Sequence, residues 1–324
     1  MKVLITGATG FIGSHLIPRL NLINNCQLIA AIRNQDSQPK LSTTVKTIIV
    51  GEIDGDTDWS QALIGIDAVI HLAARAHILQ EQVPDPEAEF IRVNTQGTAN
   101  LVQQSIQAGV KHFIFISSIG AVATLSNQIL TEETPPQPDT AYGRSKLKAE
   151  QALIELASNT NMTWTILRPT LVYGAGNPGN MASLLKLVKS GLPLPLKSVK
   201  NRRSFLYVGN LVDAIAICLT NPHAKNQLFL ISDTQALSTL ELIEQIANSL
   251  NTRSILIPVS PMVLKFLGYL GDLITYIIKR KLPINSVIIN RLLGSLVVDS
   301  NYLYKTLNWQ PPYTIKQGIA QGLL

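Results

Sequence analysis

Tyr142 and Lys146 stand four residues apart in the segment Tyr142-Gly-Arg-Ser-Lys146, a spacing that places both side chains on one face of a helix. A phenol carries protons poorly at neutral pH, because its free pKa is about 10. A neighbouring ammonium favours the phenolate and lowers that value. Such a pair can exchange a proton with an alcohol oxygen while a hydride leaves or reaches the carbon that bears it. Tyr-x-x-x-Lys alone also describes an exposed helix pair. The adjacent Ser117-Ser118 end the apolar run Phe113–Ile116, and catalytic groups gather at strand C-termini in parallel sheets. Ser118 is the candidate partner of the reacting oxygen, and Ser117 is expected to satisfy backbone groups.

A hydride needs a carrier, and the N-terminus supplies a place for one. Gly7-Ala-Thr-Gly10-Phe-Ile-Gly13 follows the short apolar run Lys2–Thr6 and opens an apolar-periodic stretch through Leu16 and Leu20. A tight turn, a backbone close to a pyrophosphate and a helix packed close on a strand each exclude a Cβ. The helix then offers free N–H groups to the phosphates. The motif therefore indicates a nicotinamide dinucleotide. The next strand ends at Arg33-Asn34, where an NAD site would carry an acid for the ribose 2′-hydroxyl. A guanidinium there suits a 2′-phosphate, so NADP is favoured over NAD.

These groups need a frame, and the pattern supplies one. Short apolar runs at 2–6, 27–33, 47–50, 68–72, 113–117 and 163–167 alternate with helical patterns, among them 86–108 and 142–158. That alternation predicts an α/β fold, a doubly wound parallel Rossmann sheet covered on both faces. Proline and glycine cluster between Gly174 and Pro195, which reads as loops. The expected division is a dinucleotide-binding domain over 1–169, with 203–221 returning to it, and a smaller α/β substrate-binding lobe from 170–202 and 222–324. The 324 residues are 46% hydrophobic and 15% charged, which excludes disorder. Cys26 and Cys218 form neither a disulfide framework nor a metal pattern, so no metal site is expected and a reducing cytoplasm is the natural compartment. The net charge of +6 comes from scattered basic residues. It excludes a nucleic-acid motif but fits an anionic substrate or membrane surface.

Taken together, the glycine turn, Phe113-Ile-Phe-Ile-Ser-Ser118 and Tyr142-Gly-Arg-Ser-Lys146 resemble the extended short-chain dehydrogenase/reductase family, the NAD-dependent epimerases and dehydratases. The likeness runs from Met1 to about residue 320. It implies a catalytic triad of Ser118, Tyr142 and Lys146. It also implies cofactor contacts from Gly7, Thr9, Gly10, Phe11, Ile12 and Gly13, from Arg33, and from Glu52-Ile53, where the family has Asp-Ile/Leu. Leu72-Ala73-Ala74 after His71 line the cofactor, and Ser117, Tyr142, Lys146 and Pro169 complete its surroundings. Asn94, in Val-Asn-Thr-Gln-Gly-Thr-Ala-Asn, is a structural or proton-relay residue. The family often continues its serine motif with Val-Tyr-Gly. Here Ile119-Gly-Ala-Val-Ala123 replaces it, which obscures the substrate contacts of this loop.

The family acts largely on nucleotide-linked sugars, which implies a UDP-linked substrate held by Arg203, Arg75 and Asn180. For Arg203 the alternative is a structural salt bridge to Asp213. Ala74-Arg-Ala-His-Ile-Leu79 and Arg291-Leu-Leu-Gly-Ser-Leu296 are similar to a bacterial subgroup acting at C4 of UDP-N-acetylated hexoses in surface-polysaccharide synthesis. Arg33 favours reduction of a UDP-4-keto sugar. A 4-epimerase with tightly bound NAD, a reductase of apolar carbonyls and a non-catalytic NADP-binding regulator are the alternatives. The apolar stretch 259–281 ends in Lys279-Arg280-Lys281. It is expected to pack in the lobe, with a homodimer or a peripheral membrane contact as further readings.

Overall fold

Val3, Leu4 and Ile5 are fully buried, as a strand covered on both faces must be. They form the centre of a computed structural model that describes residues 1–40, 45–76, 83–177, 180–252, 254–278 and 285–322. The first half alternates strands with helices. Its elements are β1 (Lys2–Thr6), α1 (Phe11–Leu20), β2 (Gln27–Ile32), β3 (Lys46–Ile49), β4 (Ala68–His71), α2 (Pro86–Phe90), a wide π-type turn (Ile91–Gln96) and α3 (Gly97–Gln107). There follow β5 (His112–Ile116), β6 (Ile129–Leu130), α4 (Ala141–Ala157) and β7 (Thr163–Pro169). The second half holds β8 (Leu171–Tyr173), α5 (Asn180–Lys189), β9 (Arg203–Tyr207), α6 (Val208–Thr220), β10 (Gln227–Ile231), β11 (Ala236–Leu237) and α7 (Thr239–Ser249). It closes with α8 (Pro261–Ile278), α9 (Ser286–Leu293), β12 (Val297–Val298), α10 (Asn301–Leu307) and α11 (Ile315–Gly322).

The main sheet has seven parallel strands in the order β10-β7-β5-β4-β1-β2-β3, so the doubly wound α/β expectation holds. Val3 and Ile5 face the core shared with α1 and α6, while Leu4 faces the opposite core with Trp59, Leu101 and Leu153. The winding reverses between β1 and β4, and such a switch point opens a crevice beyond the strand C-termini. The remaining strands make a three-stranded sheet, β11-β9-β8, and a β12–β6 pair.

Four expectations need correction. The single helix over 86–108 is interrupted at 91–96 by the wide turn. The loop-rich reading of 174–195 missed α5, because proline and glycine lie only at its flanks. Gln227–Ile231, assigned to the lobe, is the seventh strand of the main sheet beside β7. Asn226, at φ 57°, makes the turn into it. Finally, β2 stops at Ile32, one residue before Arg33. His77, Ile78 and Leu79 of the Ala74 segment, Pro178-Gly179, and Lys279–Lys281 lie outside the described residues, as does the Asn180 side chain.

Candidate active site

The glycine turn meets each demand placed on it. Gly7 has φ 69°, and a Cβ there would stand 2.8 Å from the Ala73 amide nitrogen at the end of β4. A Cβ on Gly13 would lie 2.4 Å from the Gly7 carbonyl oxygen, so α1 can press on the turn only with glycine there. Gly10 is the N-cap of α1 and no side chain caps the helix, which leaves its first amides open to an anion. Thr9, Phe11 and Ile12, around that open end, are half-buried. Between them these features fit a dinucleotide pyrophosphate. The Thr170 hydroxyl, just past β7, is buried with no hydrogen-bond partner among the described residues, an acceptor-donor left for a ligand.

At the switch point a chain of hydrogen bonds links β1, β4 and the π-type turn. The Ala73 amide donates to Thr6 Oγ1 at 3.2 Å, which lies 2.7 Å from His71 Nδ1. His71 Nε2 lies 3.0 Å from Thr98 Oγ1, which donates to the Asn94 carbonyl at 2.6 Å. This order assigns a neutral ring protonated at Nε2, and burial pushes His71 down to about 3 with Lys146 adding to the shift. His71 thus holds the scaffold and moves no proton. Leu72 and Ala74 flank this junction, half-buried.

The π-type turn carries Asn94 inward, a common use of such turns near functional sites. Its Oδ1 accepts from the Arg75 amide at 2.7 Å, and its Nδ2 donates to the Arg75 carbonyl at 3.1 Å and to Ser145 Oγ at 3.0 Å. Asn94 therefore ties the segment after β4 to α4, which supports its structural reading. The Arg75 guanidinium sits over the Phe90 ring, 5.6 Å from its centroid, and approaches Glu89 at 4.0 Å. Phe90 in turn meets the Tyr142 ring edge-on at 6.1 Å.

Helix α4 is capped by Thr140, whose side chain accepts from the Gly143 amide. Gly143 lets its first turn close on the turn after β5, because a Cβ there would be 2.1 Å from the Gly120 carbonyl oxygen. Ser118 is extended, and its Oγ accepts from the Gly120 amide at 3.0 Å, leaving its own proton to donate. Burial pushes the Tyr142 phenol up to about 12, and a hydrogen bond with Ser118 pulls the other way. Lys146 is fully buried; its Nζ donates to the Ile116 carbonyl at 2.6 Å and lies 3.9 Å from the Phe115 ring centroid. Burial lowers it to about 7, opposed by Glu150.

One side chain that sequence reasoning missed sits beneath this group. Glu150 takes Arg168 Nη2 at 2.6 Å and Nε at 3.0 and 3.2 Å, all buried. Ser117 Oγ donates to the same carboxylate, which corrects the expectation that it serves backbone groups. The signal was available: Glu150 follows Lys146 by one helical turn, on the face shared with Tyr142. Pro169 continues β7 past Arg168.

Across the lobe, Arg203 Nη1 donates to the carbonyls of Arg291 and Gly294 at 2.8 and 3.1 Å. The Asp213 alternative is wrong, because Asp213 takes Arg19 Nε and Trp309 Nε1, both at 2.7 Å. Burial lowers the Arg203 pKa, and repulsion from Arg291 adds to it. Neither arginine has an acidic partner among the described residues, and two such guanidiniums suit a diphosphate. Arg291 was noted only within a motif. Glu52 is exposed and 3.6 Å from Arg92, while Ile53 packs on Gly97. Arg33 is exposed just beyond β2. Asn180 begins α5.

With this geometry in view, four likenesses are informative. The model of the NAD dependent epimerase/dehydratase family matches residues 3–231. A UDP-glucose 4-epimerase of Vibrio cholerae is 38% identical, aligned over 99% of this chain and 94% of the relative. The N-acetyl-alpha-D-glucosaminyl-diphospho-ditrans,octacis-undecaprenol 4-epimerase of Escherichia coli O157:H7 is 32% identical over the same shares. The solved UDP-glucuronic acid 4-epimerase of Bacillus cereus, in complex with NAD, shares the fold at TM-score 0.78 and 20% identity, covering 100% of this chain and 97% of that one.

Proposed function

The chain belongs to the NAD dependent epimerase/dehydratase family, and from that premise we propose that it inverts C4 of a diphosphate-linked hexose, UDP-linked in the first instance. It is an enzyme of the extended short-chain dehydrogenase/reductase type that binds NAD(P). The observation that carries the reading is α4 locked by Gly143 against the Ser118 turn, which sets the Tyr142 phenol beside the Ser118 hydroxyl on the helix that also carries the buried Lys146. A nicotinamide dinucleotide held by the Gly7–Gly13 turn and the open end of α1 would supply reversible hydride exchange with C4. Tyr142 Oη takes the proton of the 4-hydroxyl and gives it back. Lys146 Nζ, as an ammonium, favours the phenolate that this requires. Ser118 Oγ donates to the same sugar oxygen and orients it. Arg203 and Arg291 hold the diphosphate, and Arg75 lines the sugar side beside Phe90 and Tyr142. Residues 1–169 with 203–231 form the nucleotide half, and the rest the sugar half.

The choice of epimerase over ketoreductase follows the two relatives, both named as 4-epimerases across nearly their whole length. Arg33, exposed where an acid would serve NAD, favours the second reading, an NADPH-dependent 4-ketoreductase. Incubating the purified enzyme with UDP-N-acetylglucosamine or UDP-glucose and following the anomeric proton by NMR separates them. Epimer formation without net nicotinamide consumption is expected. Oxidation of NADPH by a UDP-4-keto-6-deoxy sugar, with no epimer formed from either substrate, would move the assignment to the reductase.

A further inference from the structure

Helix α8 has 18 residues, yet only Leu264, Gly268 and Gly271 are buried. Gly268 is the contact with α9, since a Cβ there would come within 3.0 Å of Ser286 Cα. Most of the rest is apolar and faces out: Met262 is 82% exposed, Phe266 61%, Tyr276 83% and Ile277 69%. On α9, Val287 and Ile288 are exposed as well. At 100° per residue, the exposed apolar positions from Tyr276 and Tyr269 round to Leu267 and Ile278 cover roughly 200° of arc. A partner helix covers a stripe of about 100°, so this surface is too broad for a single protein seam. A bilayer interface, by contrast, immerses half a helix.

Charge along this stretch of sequence is strongly basic. From 261 to 293 the sequence carries Lys265, Lys279, Arg280, Lys281 and Arg291 against the single acid Asp272. Asp272 is turned toward α9, its carboxylate 3.3 Å from the Ser286 amide. Lys265 is exposed at the margin of the apolar arc, where an interfacial helix places its lysines. Arg291, the arginine beside Arg203, lies on α9 itself.

We infer that the α8–α9 hairpin seats this enzyme in the surface of an anionic bilayer, with α8 in the interfacial plane. A surface of this kind attracts basic segments and accepts exposed apolar side chains. The hairpin then carries one arginine of the diphosphate site at the membrane surface, within reach of a sugar diphosphate borne by a lipid. The seating itself does not depend on the epimerase reading.

The test is flotation of the full-length protein with vesicles of phosphatidylcholine containing 30% phosphatidylglycerol, and with pure phosphatidylcholine. The protein should float with the anionic vesicles and far less with the neutral ones. Phe266→Ser with Ile277→Ser should lower the bound fraction by roughly tenfold or more, and Lys265→Glu by at least about fivefold. Both variants should keep wild-type turnover of a soluble UDP-sugar, which shows that they are folded. Failure of the wild type to float would overturn the inference. So would a dimer in light scattering without vesicles that the double variant dissociates, because a second copy would then cover the face. Loss of flotation with turnover intact leaves the catalytic reading untouched, and loss of turnover with flotation intact leaves this one untouched.

Discussion

At the residue scale, the proposed proton chemistry depends on three buried charges. Lys146, Glu150 and Arg168 alternate in sign through the core, and Glu150 is the group that raises the lysine against its burial. Glu150→Gln should therefore lower Lys146 further, and the alkaline limb of kcat/KM should move to lower pH, since the ammonium is the form that favours the phenolate. The same change leaves Arg168 buried without its counter-charge, at a cost of about 3–5 kcal/mol. Thermal unfolding measures the second effect and a pH–rate profile the first. An unchanged profile would remove Glu150 from the account. Tyr142, Lys146 and Ser118 were legible in the sequence because their spacing and strand-end position are local properties. The partner of Arg203 was not, because Arg291 is distant in the chain and only the folded lobe brings it near.

Two junctions control the site at the element scale. The first is the contact of α4 with the turn after β5. Gly143→Ala would place a methyl 2.1 Å from the Gly120 carbonyl oxygen, so α4 must shift. A shift of about 1 Å can cost on the order of a hundredfold in rate, with about 1–3 kcal/mol of stability from overpacking. Steady-state kinetics beside thermal unfolding would show it; an alanine variant with wild-type kcat would mean that this contact does not place Tyr142. The second junction is His71 between β1, β4 and the π-type turn. Its folded pKa is depressed from 6.5 to about 3, so the unfolded chain takes up a proton that the folded chain refuses. The stability is complete above pH 6.5 and declines as pH falls toward 3. His112, lowered to about 4 by burial, adds to the same window. His71→Gln should flatten the fall in melting temperature across it. Helix and strand periods made most elements readable, but a π-type turn keeps the apolar pattern of the helices around it, and α5 is hidden between flanking prolines and glycines.

The whole molecule joins the seven-stranded main sheet to the smaller β11-β9-β8 sheet, and β10 closes the main sheet from far along the chain. Alternating short apolar runs made the doubly wound architecture legible; the destination of Gln227–Ile231 depends on long-range pairing that no local pattern records. Trp309 and Arg19 meet on Asp213, so the C-terminal segment is tied to α1 and α6. The proposed epimerisation requires that the hydride of C4 not exchange with water, while the hydroxyl proton passes through Tyr142. Turnover of a UDP-hexose in D2O, followed by NMR at C4, examines that claim directly. The wild-type enzyme should form the C4 epimer with protium retained at C4, and Tyr142→Phe should slow it by about 10²–10⁴-fold while still binding nucleotide. Deuterium at C4, or epimerisation at wild-type rate by the phenylalanine variant, would contradict it.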